Sequence, residues 1–171
     1  LVQKLPAGSV ICFMLANDLS QWLPLSIDSM IKNTVMKQHI LLIDDEQDEL
    51  EILLEALKTL PVEDGFKCTY AANASHALIM LRYLVPDVIF VDLNMPGLDG
   101  LDFLAHAQGD DKLRNVRKYL FSNSITDTVR QRANGLGATA CINKASTVHE
   151  LSEDLKNIFT NEVIQSNKYN T

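Results

Sequence analysis

The sequence has no basic run. Its 15 lysines and arginines are outnumbered by 22 aspartates and glutamates, leaving a formal charge of −7. A direct grip on nucleic acid needs a basic face to meet phosphate, so this class of partner is excluded first. Long apolar runs are also missing, and none approaches the ~18 residues that a membrane span requires. Cysteine is scarce. Cys12, Cys68 and Cys141 are odd in number and far apart, with none of the short spacings of a metal site. Two of them fall in stretches that read as strands, as small buried hydrophobes in a reducing compartment. Internal repeats and low-complexity segments are absent. What remains is a chain of 171 residues, 47% apolar, with enough for one sizeable core and spare length at an end.

The most informative stretch runs from Pro86 to Gly100, PDVIFVDLNMPGLDG. Val88-Ile89-Phe90-Val91 reads as a short strand buried on both faces, as in a parallel sheet. Met95-Pro96-Gly97 cannot continue a strand, so the chain turns there. Asp92 therefore stands at the carboxyl end of a central strand, where open α/β sheets place their ligands.

Residues 1–37 do not resemble the rest of the chain. Lys4 before the apolar Val10–Ala16, with small residues nearby, is the trace of a signal peptide, and Pro6 and Gly8 sit badly in one. The simpler expectation is an extension packed loosely on the domain or partly disordered, with Met30 or Met36 as alternative natural starts.

From residue 38 the chain alternates. Ile40–Ile43 is apolar and ends in Asp44-Asp45-Glu46. Leu50, Leu53, Leu54, Leu57 and Leu60 then mark one helical face, with Glu49, Glu51, Glu55 and Lys58 opposite. Pro61 and Asp64-Gly65 close that helix, and Phe66–Ala71 comes next as a strand. Asn73 caps a helix expected to run through Leu84 on a stripe of Ala77, Met80, Leu81 and Leu84. After Gly100 comes a helix ending near Gly109, then a strand at Tyr119–Phe121 that stops at Ser122. A helix from Thr126 or Asp127 stops at Gly137. Thr139–Asn143 is a fifth strand leading to Lys144. A last helix begins near Thr147, and a polar tail is expected over 161–171. Five strand–helix alternations with short connections predict a parallel sheet covered on both faces.

In such a sheet all carboxyl ends share one edge. Asp44, Asp45, Asp92, Asn94, Ser122 and Lys144 therefore converge. Each alone has an innocent meaning, as a helix-dipole complement, a turn cap or a surface lysine. Together they make a site. Two like charges ~4 Å apart repel by roughly 4 kcal/mol at an effective dielectric of about 20. Clustered carboxylates must protonate, pair with Lys144 or bind a cation. Hard oxygen donors suit Mg²⁺ or Mn²⁺, and Mg²⁺ keeps coordination room for phosphate oxygens. The chemistry this suits is attack by a carboxylate on phosphorus, with the metal, Lys144 and Ser122 meeting the equatorial oxygens.

On the LLIDDE and VDLNMPGLDG stretches, Ser122 and Lys144, the chain resembles the response-regulator receiver domains of bacterial two-component signalling. The resemblance covers about 38–160. It implies a flavodoxin-like, doubly wound α/β fold of five parallel strands in the order 2-1-3-4-5, with helices on both faces. It implies Asp92 as phosphoacceptor, Asp45 as a direct Mg²⁺ ligand with Asp44 assisting through water, and Asn94 giving its carbonyl to the metal. Ser122 and Lys144 would contact the phosphoryl group. The implied partners are a sensor histidine kinase or histidine phosphotransfer protein and a downstream protein target in the cytoplasm, with no membrane insertion. A homodimer through the fourth and fifth helices is a further option, with Arg130, Arg132 and Asn134 exposed there.

Two features depart from the family pattern. Ala145 follows Lys144 where a cis-proline is usual, so the bond is either strained or trans with a shifted loop. Cys141 or Ile142 takes the place of the aromatic ring that couples the hydroxyl to the partner surface. These departures are the basis of an alternative, a degenerate receiver that binds partners without phosphorylation. A third reading, a phosphatase or phosphotransferase using an aspartyl phosphate, lacks a general acid two residues beyond the nucleophile, because Asn94 occupies that position.

Overall fold

The computed structural model describes residues 38–61 and 65–166. Expectations for the extension 1–37 (Cys12, Met30 and Met36 included), for Asp64 and for the tail beyond Ser166 lie outside the described residues. Five strands form one sheet: β1 Gln38–Ile43, β2 Phe66–Ala71, β3 Val88–Val91, β4 Arg117–Ser122 and β5 Ala140–Asn143. Every pairing is parallel and the order is β2-β1-β3-β4-β5. The connections carry α1 Asp48–Lys58, α2 Ala74–Met80, α3 Gly100–Gln108, α4 Asp127–Gly135 and α5 Val148–Ser166, with a 3₁₀ turn at Asp111–Leu113. This is the doubly wound flavodoxin-like architecture, with its strand order reversing between β1 and β3.

Alternation along the strands builds two cores. Leu41, Ile43, Ile89, Val91 and Leu120 face α2, α3 and α4, whose Ala77, Leu101, Phe103, Leu104, Ala107 and Ala133 complete that layer. Ile40, Leu42, Val88, Phe90, Tyr119 and Phe121 face α1 and α5, meeting Leu53, Ala56, Leu57, Leu151, Leu155 and Phe159. All four residues of β3 are buried, as a central parallel strand requires. Aromatic contacts knit the second layer: Phe90 stacks on Tyr119 at 5.4 Å and Phe66 tilts onto Phe159 at 4.8 Å, within the range where rings attract.

Helix ends follow local chemistry. Asn73 accepts from the His76 amide at 2.8 Å, Thr126 from the Val129 amide at 3.3 Å, and Asp99 forms a reciprocal box with Asp102. Gly137 (φ 82°) ends the α4 turn in the left-handed region, where a side chain is penalised.

Three expectations need correction. The inward face of α1 is Leu53, Ala56, Leu57 and Leu60, while Leu54 is turned outward. A leucine at the border of a 3.6-residue stripe can fall to either side. Regular α2 ends at Met80 rather than Leu84, continuing as turns through Tyr83 and Leu84, because Pro86 biases Val85 away from helix. The last helix runs to Ser166, past the Thr160 boundary read from its apolar stripe. Among the described residues no helix is long and apolar enough to cross a membrane.

Candidate functional site

The carboxyl edge of the sheet gathers the chemistry. Strand register carries past the regular ends: the Asp92 amide donates to Ile43 O at 2.8 Å, the Asp44 amide to Ala71 O at 3.1 Å, and the Lys144 amide to Ser122 O at 2.9 Å. Asp44, Asp92, Ser122 and Lys144 thus leave the tips of β1, β3, β4 and β5 side by side. Asp44 and Ser122 are essentially inaccessible, and Asp92 is 5% exposed.

Lys144 is the centre of the arrangement. Its Nζ lies 2.8 Å from Asp44 Oδ2, 3.3 Å from Asp92 Oδ1 and 3.5 Å from Glu49 Oε1. It also stands 5.8 Å above the Phe121 ring. Burial alone pulls its pKa down. The hydrogen bond and charge of Asp44, then the charges of Asp92 and Glu49, outweigh burial and hold the ammonium above the ordinary lysine value. Asp44 moves upward too, since burial costs its carboxylate more than Lys144 and the Glu46 amide return. Its Oδ1 accepts from the Glu46 amide at 3.0 Å. Its Oδ2 is paired by charge with Lys144 but lacks a hydrogen bond of good angle.

Asp92 Oδ2 accepts from the Asn94 amide at 2.6 Å, and Asn94 Nδ2 reaches Ser122 Oγ at 3.5 Å. The turn that begins there is shaped by glycine twice. Gly97 (φ 84°) needs the left-handed region. Gly100 is buried directly against Asp92: a Cβ there would overlap the Asp92 carbonyl oxygen and stand 3.0 Å from Leu120 Cδ1. The Gly100 amide in turn donates to Leu93 O at 3.0 Å.

Asp45 and Asn94 are exposed at the rim of the cluster. No three histidine, cysteine or carboxylate groups among the described residues stand around a common point as a ready cation site. The donor set nonetheless fits a hard divalent ion. Asp44, Asp92 and Glu49 bring three negative charges to one ammonium, Asp45 stands at the rim beside them, and Asp44 Oδ2 is a buried acceptor without a full hydrogen bond.

The Lys144–Ala145 peptide is trans, since no cis bond occurs among the described residues. The ammonium reaches both aspartates all the same. Cys141 and Ile142 are half-buried in β5. In place of a ring contact at this position, α4 touches β5 through Arg130, whose Nη1 donates to Cys141 O at 3.1 Å. Arg130 is thereby half-buried, while Arg132 and Asn134 are exposed as expected. Cys68 and Cys141 are free thiols.

Two residues of this site are not evident from the sequence. Glu49 is expected on the outer face of α1, yet it lies four residues before Leu53 at the border of the apolar stripe, and its side chain is only 14% exposed and meets Lys144. The available signal is its position in the first helical turn after the diacid, which begins at the same sheet edge. Gly100 reads only as half of an Asp-Gly turn, and its contact with Asp92 is a tertiary fact.

The family described as the response regulator receiver domain matches residues 40–156. A sensor histidine kinase, CheAY of Helicobacter pylori, is 31% identical over 115 residues, which cover 66% of this chain and 14% of that protein. The DNA-binding response regulator MtrA of Mycolicibacterium smegmatis is 36% identical over 94 residues, 55% of this chain and 38% of the relative. The chain thus spans well under half the length of these two relatives. Sporulation initiation phosphotransferase F of Bacillus subtilis is 26% identical over 122 residues, 71% of this chain and 94% of that protein. Among solved structures, the phosphorylated cyanobacterial phytochrome response regulator RcpA is 25% identical with a TM-score of 0.64, covering 71% of this chain and 91% of that one. Chemotaxis protein CheY4 of Vibrio cholerae, at 20% identity, shares the fold with a TM-score of 0.63 over 72% of this chain and 99% of its own.

Proposed function

The chain belongs to the response-regulator receiver family, and on that premise we propose that Asp92 accepts a phosphoryl group from a histidine kinase or histidine phosphotransfer protein. An Asp92 carboxylate oxygen attacks phosphorus. The O–P bond forms as the donor's N–P bond breaks, and the freed imidazole takes a proton from solvent. The observation that carries this reading is the buried Lys144 ammonium shared between Asp44 and Asp92. It can follow a phosphoryl oxygen without leaving the site, neutralising charge that grows in the transition state. Ser122 Oγ, beside Asn94 Nδ2, is within the same cluster to donate to a second oxygen.

Asp45, Asp92 and the Asn94 carbonyl would hold Mg²⁺, or Mn²⁺ in its place, with Asp44 assisting through water. When bound, the ion supplies Lewis-acid stabilisation of the phosphoryl oxygens. The surplus of carboxylates over the single ammonium supports that assignment. The domain is a signalling phosphoacceptor rather than a turnover enzyme. It acts in the cytoplasm on a protein target, through the face of α4 and α5, which could also serve a homodimer.

Incubation with Mg²⁺ and acetyl phosphate is expected to add one phosphoryl mass to the wild type and none to Asp92→Asn. A wild type that stays unlabelled and shows no Mg²⁺ binding at millimolar metal would instead favour a phosphorylation-independent binding module.

A further inference from the structure

Glu49 is the second residue of α1, in the first turn, where an acidic side chain complements the positive end of the helix dipole. Asp48 and Glu51 share that first turn and are exposed, as such residues usually are. Glu49 is different. Its carboxylate is turned inward to 3.5 Å from Lys144 Nζ, with 14% of the side chain exposed, while the lysine side chain is 5% exposed. The ammonium therefore has three carboxylate neighbours, Asp44, Asp92 and Glu49, and only one of these, Asp92, is the proposed phosphoacceptor.

We infer that Glu49 is a positioning residue for Lys144, sharing its ammonium with Asp44 and Asp92 and competing with the incoming phosphoryl group for it. The inference rests on the phosphoacceptor reading and adds to it a control on how readily the lysine is released. A phosphoryl group arriving at Asp92 brings negative charge into a cluster that already holds a surplus. Glu49 contributes one charge to that surplus. It holds Lys144 back from the new oxygens and repels them, and the same charge favours a divalent cation nearby.

The two effects have opposite signs, which makes the role measurable. In Glu49→Gln, Mg²⁺ affinity, read by titration of amide chemical shifts around Asp92, is expected to fall by about three- to tenfold, a Coulomb-sized change for one charge across a partly screened gap. At saturating Mg²⁺ the rate of labelling by acetyl phosphate is expected to rise by a similar factor. Glu49→Asp keeps the charge on a shorter arm and should return both values toward the wild type. Glu51→Gln, on the exposed side of the same turn, should change neither. A contribution only to the helix terminus would shift the unfolding midpoint and leave both readouts alone. Glu49→Gln matching Glu51→Gln in both, or falling in both affinity and rate, overturns the inference while the wild type still labels. A wild type that takes up no phosphoryl group overturns the phosphoacceptor reading itself, and this inference with it.

Discussion

The Lys144 ammonium sits 2.8 Å from Asp44 Oδ2, nearer than the 3.3 Å that separates it from Asp92 Oδ1. The lysine is anchored by a carboxylate that is wholly buried and has no other cation beside it among the described residues. Removing one member of a buried pair leaves the other charge uncompensated, which typically costs about 3–5 kcal/mol. Lys144→Met is therefore expected to lose on that order of stability in urea unfolding with EDTA present. Added Mg²⁺ should restore part of the loss, because a cation can take over from the ammonium. Equal unfolding midpoints for wild type and variant without metal would show that the pair does not hold the site together.

Gly100 offers a test of the acceptor loop that leaves every charged group in place. A Cβ there meets the Asp92 carbonyl, which is backbone and cannot swing aside. Gly100→Ala should destabilise the protein by about 1–3 kcal/mol through overpacking. It should also slow acetyl phosphate labelling more than a surface variant of equal instability does, because the strain is relieved by moving the acceptor. Labelling at the wild-type rate would mean that the loop absorbs the methyl group without displacing Asp92.

Burial pushes the Cys68 thiol up to about 11. At pH 8 a thiol at that value is roughly 0.1% thiolate, against about a quarter for an ordinary cysteine near 8.5. Alkylation of native Cys68 by iodoacetamide, followed by peptide mass spectrometry, should therefore be on the order of a hundredfold slower than in the urea-unfolded chain. Its rate should rise close to tenfold per pH unit up to pH 10. Fast labelling of the native protein at pH 8 would contradict the placement of this side chain against the α1 and α5 core.

Much of the fold is legible in the residues because the sheet writes a simple code. Val88–Val91 ends at Asp92, a fully apolar run followed by a turn, and a parallel sheet leaves no other place for that carboxylate than the ligand edge. Asp44, Ser122 and Lys144 follow by the same logic. Helical phase is less forgiving. Leu54 and Glu49 stand at opposite borders of the α1 stripe, and tertiary packing turns the leucine out and draws the glutamate in. Nor can periodicity show what a side chain meets across the fold. The Arg130–Cys141 contact and the approach of Gly100 to Asp92 join elements whose separation only folding removes.

Lys118 is the sharpest such case, because a lysine near the start of a strand reads as solvated. It lies on the same side of β4 as Leu120 and is 4% exposed, and its Nζ donates to Leu113 O and Val116 O, each at 2.7 Å. The 3₁₀ turn supplies the Leu113 carbonyl and the bend just before β4 supplies that of Val116; the sequence carries no sign of this arrangement. Desolvation lowers the pKa of this ammonium in the folded protein. The unfolded chain then binds more protons than the native one between the depressed folded value and the ordinary ~10.4. Folding stability contributed through Lys118 therefore rises with pH across that window and is flat outside it. Lys118→Met removes the titration, so the wild-type urea midpoint should climb relative to the variant as pH rises toward about 10.4. Parallel midpoint curves for the two proteins would show that the buried ammonium titrates alike in both states.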